Sequence, residues 1–341
     1  MLERFLHDEI KENGSLPQSR FMELALRHPL HGYYRSQEAV TQDFTTSPEI
    51  SQVFGELIGA WAIDYFIKLK QPKTLSLVEL GPGKGTLMAD FLRISQLSKP
   101  FSEALNVYLV EINPLLKAAQ LKAVTSSATW IERIEDVPLS QDPLIIIANE
   151  FFDAFPTNCY TRKNNVLYER RVGIKEGKLA FTLEALHESQ GPDQIWEESP
   201  EVEMIMKEIC TRLSKQRGAF LCVDYGYEKG EGESLQALFK GERSDPLSHI
   251  GESDLTCHVH FGRLKEIAIS QGLGVVGPLF QGRFLKNLGH DERVKMLKYE
   301  NPSQKTILEV ASTRLTHHQQ MGNLFKVMAI FSPPTLTPAG F

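Results

Sequence analysis

A chain of 341 residues with 42% hydrophobic and 23% charged residues, 24 glycines and 18 prolines has ordinary globular composition, which excludes collagen-like, disordered and disulfide-scaffold classes. Its 37 basic and 43 acidic side chains leave a net charge of −6 with no basic block, so a nucleic acid is a poor partner. The four cysteines, Cys159, Cys210, Cys222 and Cys257, include no CxxC pair and predict free thiols, not a zinc site. No apolar run approaches the length of about 18 residues that suggests a membrane helix. The N-terminal stretch MLERFLHDEIKENG has no apolar signal core and carries Glu3, Asp8, Glu9 and Glu12. Such acidity argues against a secretory signal and against an organelle transit peptide, and the expectation is a cytoplasmic protein.

Leu2, Phe5, Leu6 and Ile10 recur at helical spacing, and a second helix is expected around Phe21, Met22 and Leu26, with Ser15 and Gln18 as its capping box. Pro29 ends that helix near His28. A polar and aromatic loop, HGYYRSQEAVTQDFTT, follows. Ser47-Pro48 starts a long helix whose apolar stripe runs through Val53, Leu57, Trp61 and Tyr65. From residue 74 the texture changes to strands alternating with helices. Strands are expected at 74–80, 107–110, 144–149 and 218–224, with final strands at 274–279 and 324–331, a pattern that predicts a parallel, doubly wound α/β sheet. Residues 157–200 differ: YERRVGIKEGKLAFTLE reads as a hairpin turning near Glu176-Gly177.

The strongest local signal is Glu79-Leu80-Gly81-Pro82-Gly83-Lys84-Gly85, directly after a strand and before a helix. Alternate glycines let backbone approach a ligand closely. A dinucleotide fingerprint needs its third glycine where Thr86 stands, and a Walker loop needs Ser or Thr where Gly85 stands, so neither fits. The spacing suits S-adenosylmethionine, with Gly81, Gly83 and Gly85 making room for its amino-acid part and Glu79 facing its cationic end. Glu111 closes the next strand, where a carboxylate that accepts from two ribose hydroxyls belongs.

A second loop, Asn149-Glu150-Phe151-Phe152-Asp153-Ala154-Phe155-Pro156, follows the strand LIIIAN. Ligands of open α/β sheets bind beyond the carboxyl ends of strands, so two carboxylates beside aromatics there are candidates for chemistry; a polar helix cap built on Asn149 or Asp153 is the plainer alternative. His258 and His260, two apart, lack a third metal ligand, and no metal is expected.

Seven segments occur in family order: DFTTSPEISQVFGELIGAW (43–61), VELGPGKGTLMADFLR (78–93), ANEFFDAFP (148–156), VDYGY (223–227), DLTCHVHF (254–261), QGRFLKNLG (281–289) and MGNLFKVMA (321–329). Together they resemble the MidA family of S-adenosylmethionine-dependent methyltransferases, bacterial and mitochondrial. The resemblance implies a Rossmann-like, seven-stranded class I methyltransferase sheet with an N-terminal helical cap and a β-rich insertion. It divides the chain into a cap and lid at 1–70, a methyltransferase domain at 71–332 with an insertion near 157–215, and a tail at 333–341. The mitochondrial member is a respiratory complex I assembly factor that symmetrically dimethylates an arginine on a core subunit, and a eukaryotic relative would work in the mitochondrial matrix. The same resemblance implies Asp where this chain has His260.

Arginine arrives charged, its pKa being above about 12, and a carboxylate can pair with the guanidinium, fix its plane and polarise one nitrogen. Glu150 is the first candidate for that catalytic carboxylate and Asp153 the second. Cofactor contacts are expected from Glu79, Gly81, Gly83, Gly85, Glu111 and Asn149. Lid or substrate contacts are expected from Tyr33, Tyr34, Asp43, Thr45, Thr46 and His258. Ser47 serves as the cap of its helix in the plain reading. The leading expectation is a protein-arginine methyltransferase whose partner is a respiratory-complex subunit or its bacterial counterpart. A noncatalytic cofactor-binding assembly factor and a small-molecule methyltransferase are the alternatives.

Overall fold

A computed structural model describes residues 1–35, 45–124, 128–230 and 232–341. The chain forms two compact units: Met1–Phe44, Phe152–Met204 and Lys229–His260 make one, and Thr45–Phe151, Ile205–Glu228 and Phe261–Phe341 make the other.

The second unit is built on a sheet whose strands are β1 (Leu75–Leu80), β2 (Leu105–Val110), β3 (Ala128–Ile131), β4 (Leu144–Asn149), β5 (Gly218–Tyr227), β6 (Gly274–Phe280) and β7 (Phe325–Ser332). Their spatial order is β6-β7-β5-β4-β1-β2-β3. β1 to β5 run parallel, but β7 is antiparallel to both β5 and β6, so the sheet is mixed where the sequence suggested a parallel one. The reason is the connection: four short helices fill residues 281–324 between β6 and β7, so no single crossover helix returns the chain in parallel. β3 went unread in the sequence because its four residues, Ala-Thr-Trp-Ile, are too short for a periodic signal.

The β1 and β4 runs are buried along their whole length, as strands covered on both faces must be. One cover is the helix Gln52–Lys68, which is apolar on nearly every side and correspondingly buried. It packs against the helix Thr86–Ser95 so closely that a Cβ on Gly59 would lie 2.3 Å from Ile94 Cγ2. The long helix expected from Ser47 is interrupted. Ser47–Ile50 forms one short turn, and Ser51 takes an extended conformation (φ −157°) and caps the second helix by accepting from Val53 N–H at 3.3 Å.

The first unit has its own core, in which Leu6, Phe21, Met22 and Leu26 of two N-terminal helices (Leu2–Asn13 and Gln18–Arg27) join Val172 and Cys257. Its principal sheet contains the expected hairpin: Val166–Lys175 pairs with Lys178–Glu188 across Glu176 (φ 52°) and Gly177 (φ 76°), two left-handed positions that suit the twist of a tight hairpin. The predicted capping box is absent. Ser15 precedes a two-residue strand, and its hydroxyl donates to Glu184 Oε2 while its Oγ accepts from Arg171 Nε.

Candidate active site

The parallel registers align the carboxyl ends of β1, β2, β4 and β5. Leu80 sits opposite both Val110 and Ala148, and Asn149 opposite Val223. Between β1 and β4 the chain changes direction of winding, the topological switch point at which open α/β sheets bind ligands. The glycine loop leaves β1 there and Asn149-Glu150 leaves β4.

Gly81, Gly83 and Gly85 all have positive φ (62°, 54° and 84°). A Cβ on Gly81 would lie 2.7 Å from the Phe151 ring, whereas a Cβ on Gly83 would meet nothing within 4 Å. The loop is therefore packed on one side and open at Gly83. Glu79 lies just before it, 3% exposed, with Oε2 buried and without a hydrogen-bond partner among the described residues. Burial pushes its carboxyl up to about 8. Asn149 is a second orphan: its Oδ1 is buried with no partner among the described residues, while its Nδ2 donates to Glu150 Oε1 at 3.1 Å.

Glu111 caps β2. Its Oε1 accepts from Asn113 N–H at 2.8 Å and its Oε2 from Gln120 Nε2 at 3.1 Å. Burial raises its pKa, and those N–H donors oppose the rise. Gln120 also donates to the Gly83 carbonyl at 2.7 Å and accepts from Trp130 Nε1 at 2.8 Å. Sequence reading missed both residues: a glutamine inside a helix and a tryptophan in a short strand carry no motif.

Glu150 has φ 52°, a left-handed backbone that a residue with a Cβ adopts only under constraint. Its N–H is held by Val223 O at 2.8 Å, and its Oε1 accepts from Ser47 N–H at 2.9 Å. Burial pushes its carboxyl up to about 7, the Ser47 and Asn149 hydrogen bonds working against that and the nearby Glu49 charge with it. Ser47 is thus not the cap of its helix. Thr46 holds the N-cap position, its carbonyl accepting from Glu49 N–H at 2.9 Å, and Ser47 Oγ points to Gln281 Oε1 at 3.4 Å. Thr45 lines an open groove with Ile50, Ile307 and Val310. Lys84 of the glycine loop pairs with Glu49 at 3.1 Å.

The remaining candidates lie in the first unit. Asp153 is 5% exposed and its carbonyl accepts from Cys257 N–H at 2.9 Å. Tyr33 is buried edge-on against Tyr34, with ring centroids 5.3 Å apart. Burial drives the Tyr34 phenol well above its usual range, and the charges of Asp254 and Asp153 add to this. His258 N–H donates to Ser234 Oγ at 2.7 Å, and Ser234 in turn donates to Glu197 Oε2 at 2.6 Å. Asp43 lies outside the described residues. All four cysteines are free and buried, and no metal-ligating cluster occurs among the described residues. No helix among them is long and apolar enough to cross a membrane.

Comparison with known proteins agrees with this geometry. A family model described as S-adenosyl-L-methionine-dependent methyltransferase matches residues 57–279. The mitochondrial protein arginine methyltransferase NDUFAF7 of Danio rerio is 32% identical, the match covering 98% of this chain and 87% of that protein. The Homo sapiens protein of the same name is 31% identical, covering 96% and 82%. A solved COG1565 superfamily member from Burkholderia thailandensis, bound to S-adenosyl-homocysteine, superposes with a TM-score of 0.81 at 22% identity, covering 97% of this chain and 91% of that one. The fold, with its central mixed sheet, is that of the class I methyltransferases.

S-adenosylmethionine is the cofactor, and the site's chemistry fits it. Glu79 Oε2 and Asn149 Oδ1 are acceptors without a donor among the described residues, which the ammonium of an amino acid can supply, and the open side of Gly83 leaves room for it. The chain belongs to the family of S-adenosylmethionine-dependent methyltransferases that includes NDUFAF7, the MidA family to which its motifs point.

Proposed function

We propose that this enzyme is a protein-arginine N-methyltransferase. Its expected product is a symmetrically dimethylated arginine on a core subunit of respiratory complex I or on the bacterial counterpart of that subunit. The observation that carries the reading is the Glu150 carboxylate, held by Ser47 N–H on a left-handed backbone at the end of β4, beside the switch point. The match to NDUFAF7 over nearly the whole chain supports the choice of arginine.

In this proposal Glu79, the three glycines, Glu111 and Asn149 hold the cofactor, which when bound supplies an electrophilic methyl group on a sulfonium. Glu150 accepts N–H bonds from the substrate guanidinium, fixes its plane and concentrates electron density on the nitrogen facing the methyl. A guanidinium brings its own positive charge, which favours the ionised form of Glu150 that burial disfavours. Asp153 is the second candidate carboxylate, and Tyr33, Tyr34, Asp43, Thr45, Thr46 and His258 are proposed to serve the substrate or the lid.

The test is complementation of a deletion strain with wild type and Glu150→Gln, scored together for arginine methylation by mass spectrometry and for assembly of the respiratory complex. Loss of methylation with retained S-adenosyl-homocysteine binding supports the proposal. Normal methylation by the variant removes Glu150 from the chemistry. Restored assembly without methylation would make binding, not methyl transfer, the contribution to assembly.

A further inference from the structure

Among the described residues the helix Pro114–Ala123 buries one side chain, and it is polar: Gln120, at 0% exposure. A buried amide is costly unless all its groups are bonded. Here they are. Nε2 donates to Gly83 O at 2.7 Å and to Glu111 Oε2 at 3.1 Å, and Oε1 accepts from Trp130 Nε1 at 2.8 Å. An indole N–H can only donate, so the atom facing Trp130 must be the amide oxygen. That choice turns the NH₂ group toward a carbonyl and a carboxylate, both acceptors. All three contacts therefore select one amide orientation, and the reversed amide would lose each of them.

We propose that Gln120 is a positioning residue for the cofactor. It fixes the spacing between the glycine loop, through the Gly83 carbonyl, and the Glu111 carboxylate, while Trp130 sets which face of the amide each receives. Two consequences follow from the chemistry. First, the N–H bond to Oε2 supports the ionised, acceptor-only form of Glu111 and immobilises it, so its free lone pairs point in fixed directions toward a pair of vicinal hydroxyls. Second, the loop that meets the methionine part and the carboxylate that meets the ribose become one frame, so ordering one orders the other. Gly85 belongs to the same device: a Cβ there would lie 3.3 Å from Gln120 Cα, and a side chain would push the helix away from the loop. Trp130 touches no cofactor in this scheme and acts only through Gln120.

The inference rests on Glu111 as the ribose carboxylate, and the experiment separates the two. Calorimetry on the full-length protein measures binding of S-adenosyl-homocysteine and of its 2′-deoxy analogue to wild type, Gln120→Met, Trp130→Phe, the double variant and Glu111→Ala, each first checked for folding by circular dichroism. Gln120→Met keeps the length of the side chain and removes every hydrogen bond. It is expected to raise the Kd for S-adenosyl-homocysteine about 10- to 100-fold and to narrow the preference over the deoxy analogue. Trp130→Phe alone is expected to cost about 3- to 10-fold and to cost nothing further once Gln120 is Met. Gln120→Glu places a carboxylate against Glu111, so its binding is expected to be poor at neutral pH and to improve as the pH falls, a profile that a merely packing role would not produce. If Gln120→Met does not fold, Trp130→Phe and the pH profile of Gln120→Glu decide. Kd values within about twofold of wild type for folded Gln120→Met, additive losses in the double variant, or a flat pH profile for Gln120→Glu would each overturn the proposal. Unchanged binding in Glu111→Ala instead removes the ribose reading itself, whereas weakened binding there with intact Gln120→Met removes only the role of Gln120.

Discussion

The backbone N–H of Ser47 and the carboxylate of Glu150, 103 positions apart in the chain, meet at 2.9 Å. Ser47 opens the short helical turn Ser47–Ile50, whose first N–H groups have no partner inside the turn. The partner is supplied by an acidic side chain leaving the end of β4. In exchange, Glu150 is pinned: its backbone N–H is committed to Val223, its φ is 52°, and its Oε1 holds Ser47 and Asn149. A carboxylate so constrained has one orientation to offer a substrate.

Glu150→Gln should separate binding from chemistry. The amide oxygen can still accept from Ser47 N–H, so the fold and cofactor affinity are expected to stay near wild type, while methyl transfer falls by about two orders of magnitude or more. The pH dependence has a definite sign. Burial raises the carboxyl to about 7, so it is protonated below that pH and cannot accept from a guanidinium on both oxygens. kcat/KM for an arginine peptide should therefore rise through pH 7 and fall about tenfold per unit well below it. The same shift makes the protonated form the one the fold prefers: its stabilising contribution is present below the ordinary carboxyl range and is lost as the pH rises through about 7. A flat rate profile between pH 5.5 and 8 (about the range over which the fold is expected to hold) would exclude Glu150 as the essential carboxylate.

Much of this site was legible because its signals are local. The glycine loop, Glu111 and the LIIIAN run are each contiguous, and alternation of strands with helices orders β1, β2, β4 and β5 without further information. The Glu176-Gly177 hairpin was equally readable, since two left-handed positions leave few residue choices. What escaped is what depends on distant partners. Ser47 looks like an ordinary cap until Glu150 arrives from β4. Ser15 and Gln18 match a capping box, yet Arg171 and Glu184 of the hairpin claim Ser15, and Gln18 instead donates to Thr157 O at 3.1 Å. Gln120 and Trp130 have meaning only when β3 lies beside β2, and the four residues of β3 are too few to announce themselves. The antiparallel β7 was hidden for a similar reason, because strand direction depends on the helices inserted before it.

Gly83 tests the space for the cofactor. Its φ is 54° and a Cβ would meet nothing within 4 Å in the protein alone. Gly83→Ala should therefore cost about 1–2 kcal/mol of stability through backbone strain, visible in thermal unfolding. Gly83→Val adds a branched side chain to the open side and is expected to abolish detectable binding of S-adenosyl-homocysteine. Retained binding in the folded Val variant would mean that the cofactor does not approach the loop there.

Glu111→Ala is expected to weaken S-adenosyl-homocysteine binding by about 1.5–3 kcal/mol, the scale of hydrogen bonds to a charged group. The fold should survive, because Gln120 keeps its bonds to Gly83 and Trp130. Calorimetry with adenosine alone should show a loss of similar size, since the ribose is shared, whereas homocysteine alone should show none. A loss confined to homocysteine would place Glu111 against the wrong end of the cofactor.

Glu79 gives a prediction about protons. Burial alone lifts its carboxyl from 4.5 to about 8, and Oε2 has no hydrogen-bond partner among the described residues. The folded state then holds a proton that the unfolded chain releases near the ordinary carboxyl pKa. Stability from this group is fully present below about 4.5 and is lost as the pH rises through about 8, because over that window the native state binds more protons. Glu79→Gln should flatten that decline in thermal unfolding. Cofactor binding should act on the same proton. An ammonium placed against Glu79 favours the ionised carboxylate, so binding of S-adenosyl-homocysteine at pH 7 should release close to one proton. Calorimetric titrations in buffers of different ionisation enthalpy measure that number directly. Equal heats in all buffers for wild type, or the same proton release from Glu79→Gln, would show that the amino group of the cofactor is held elsewhere.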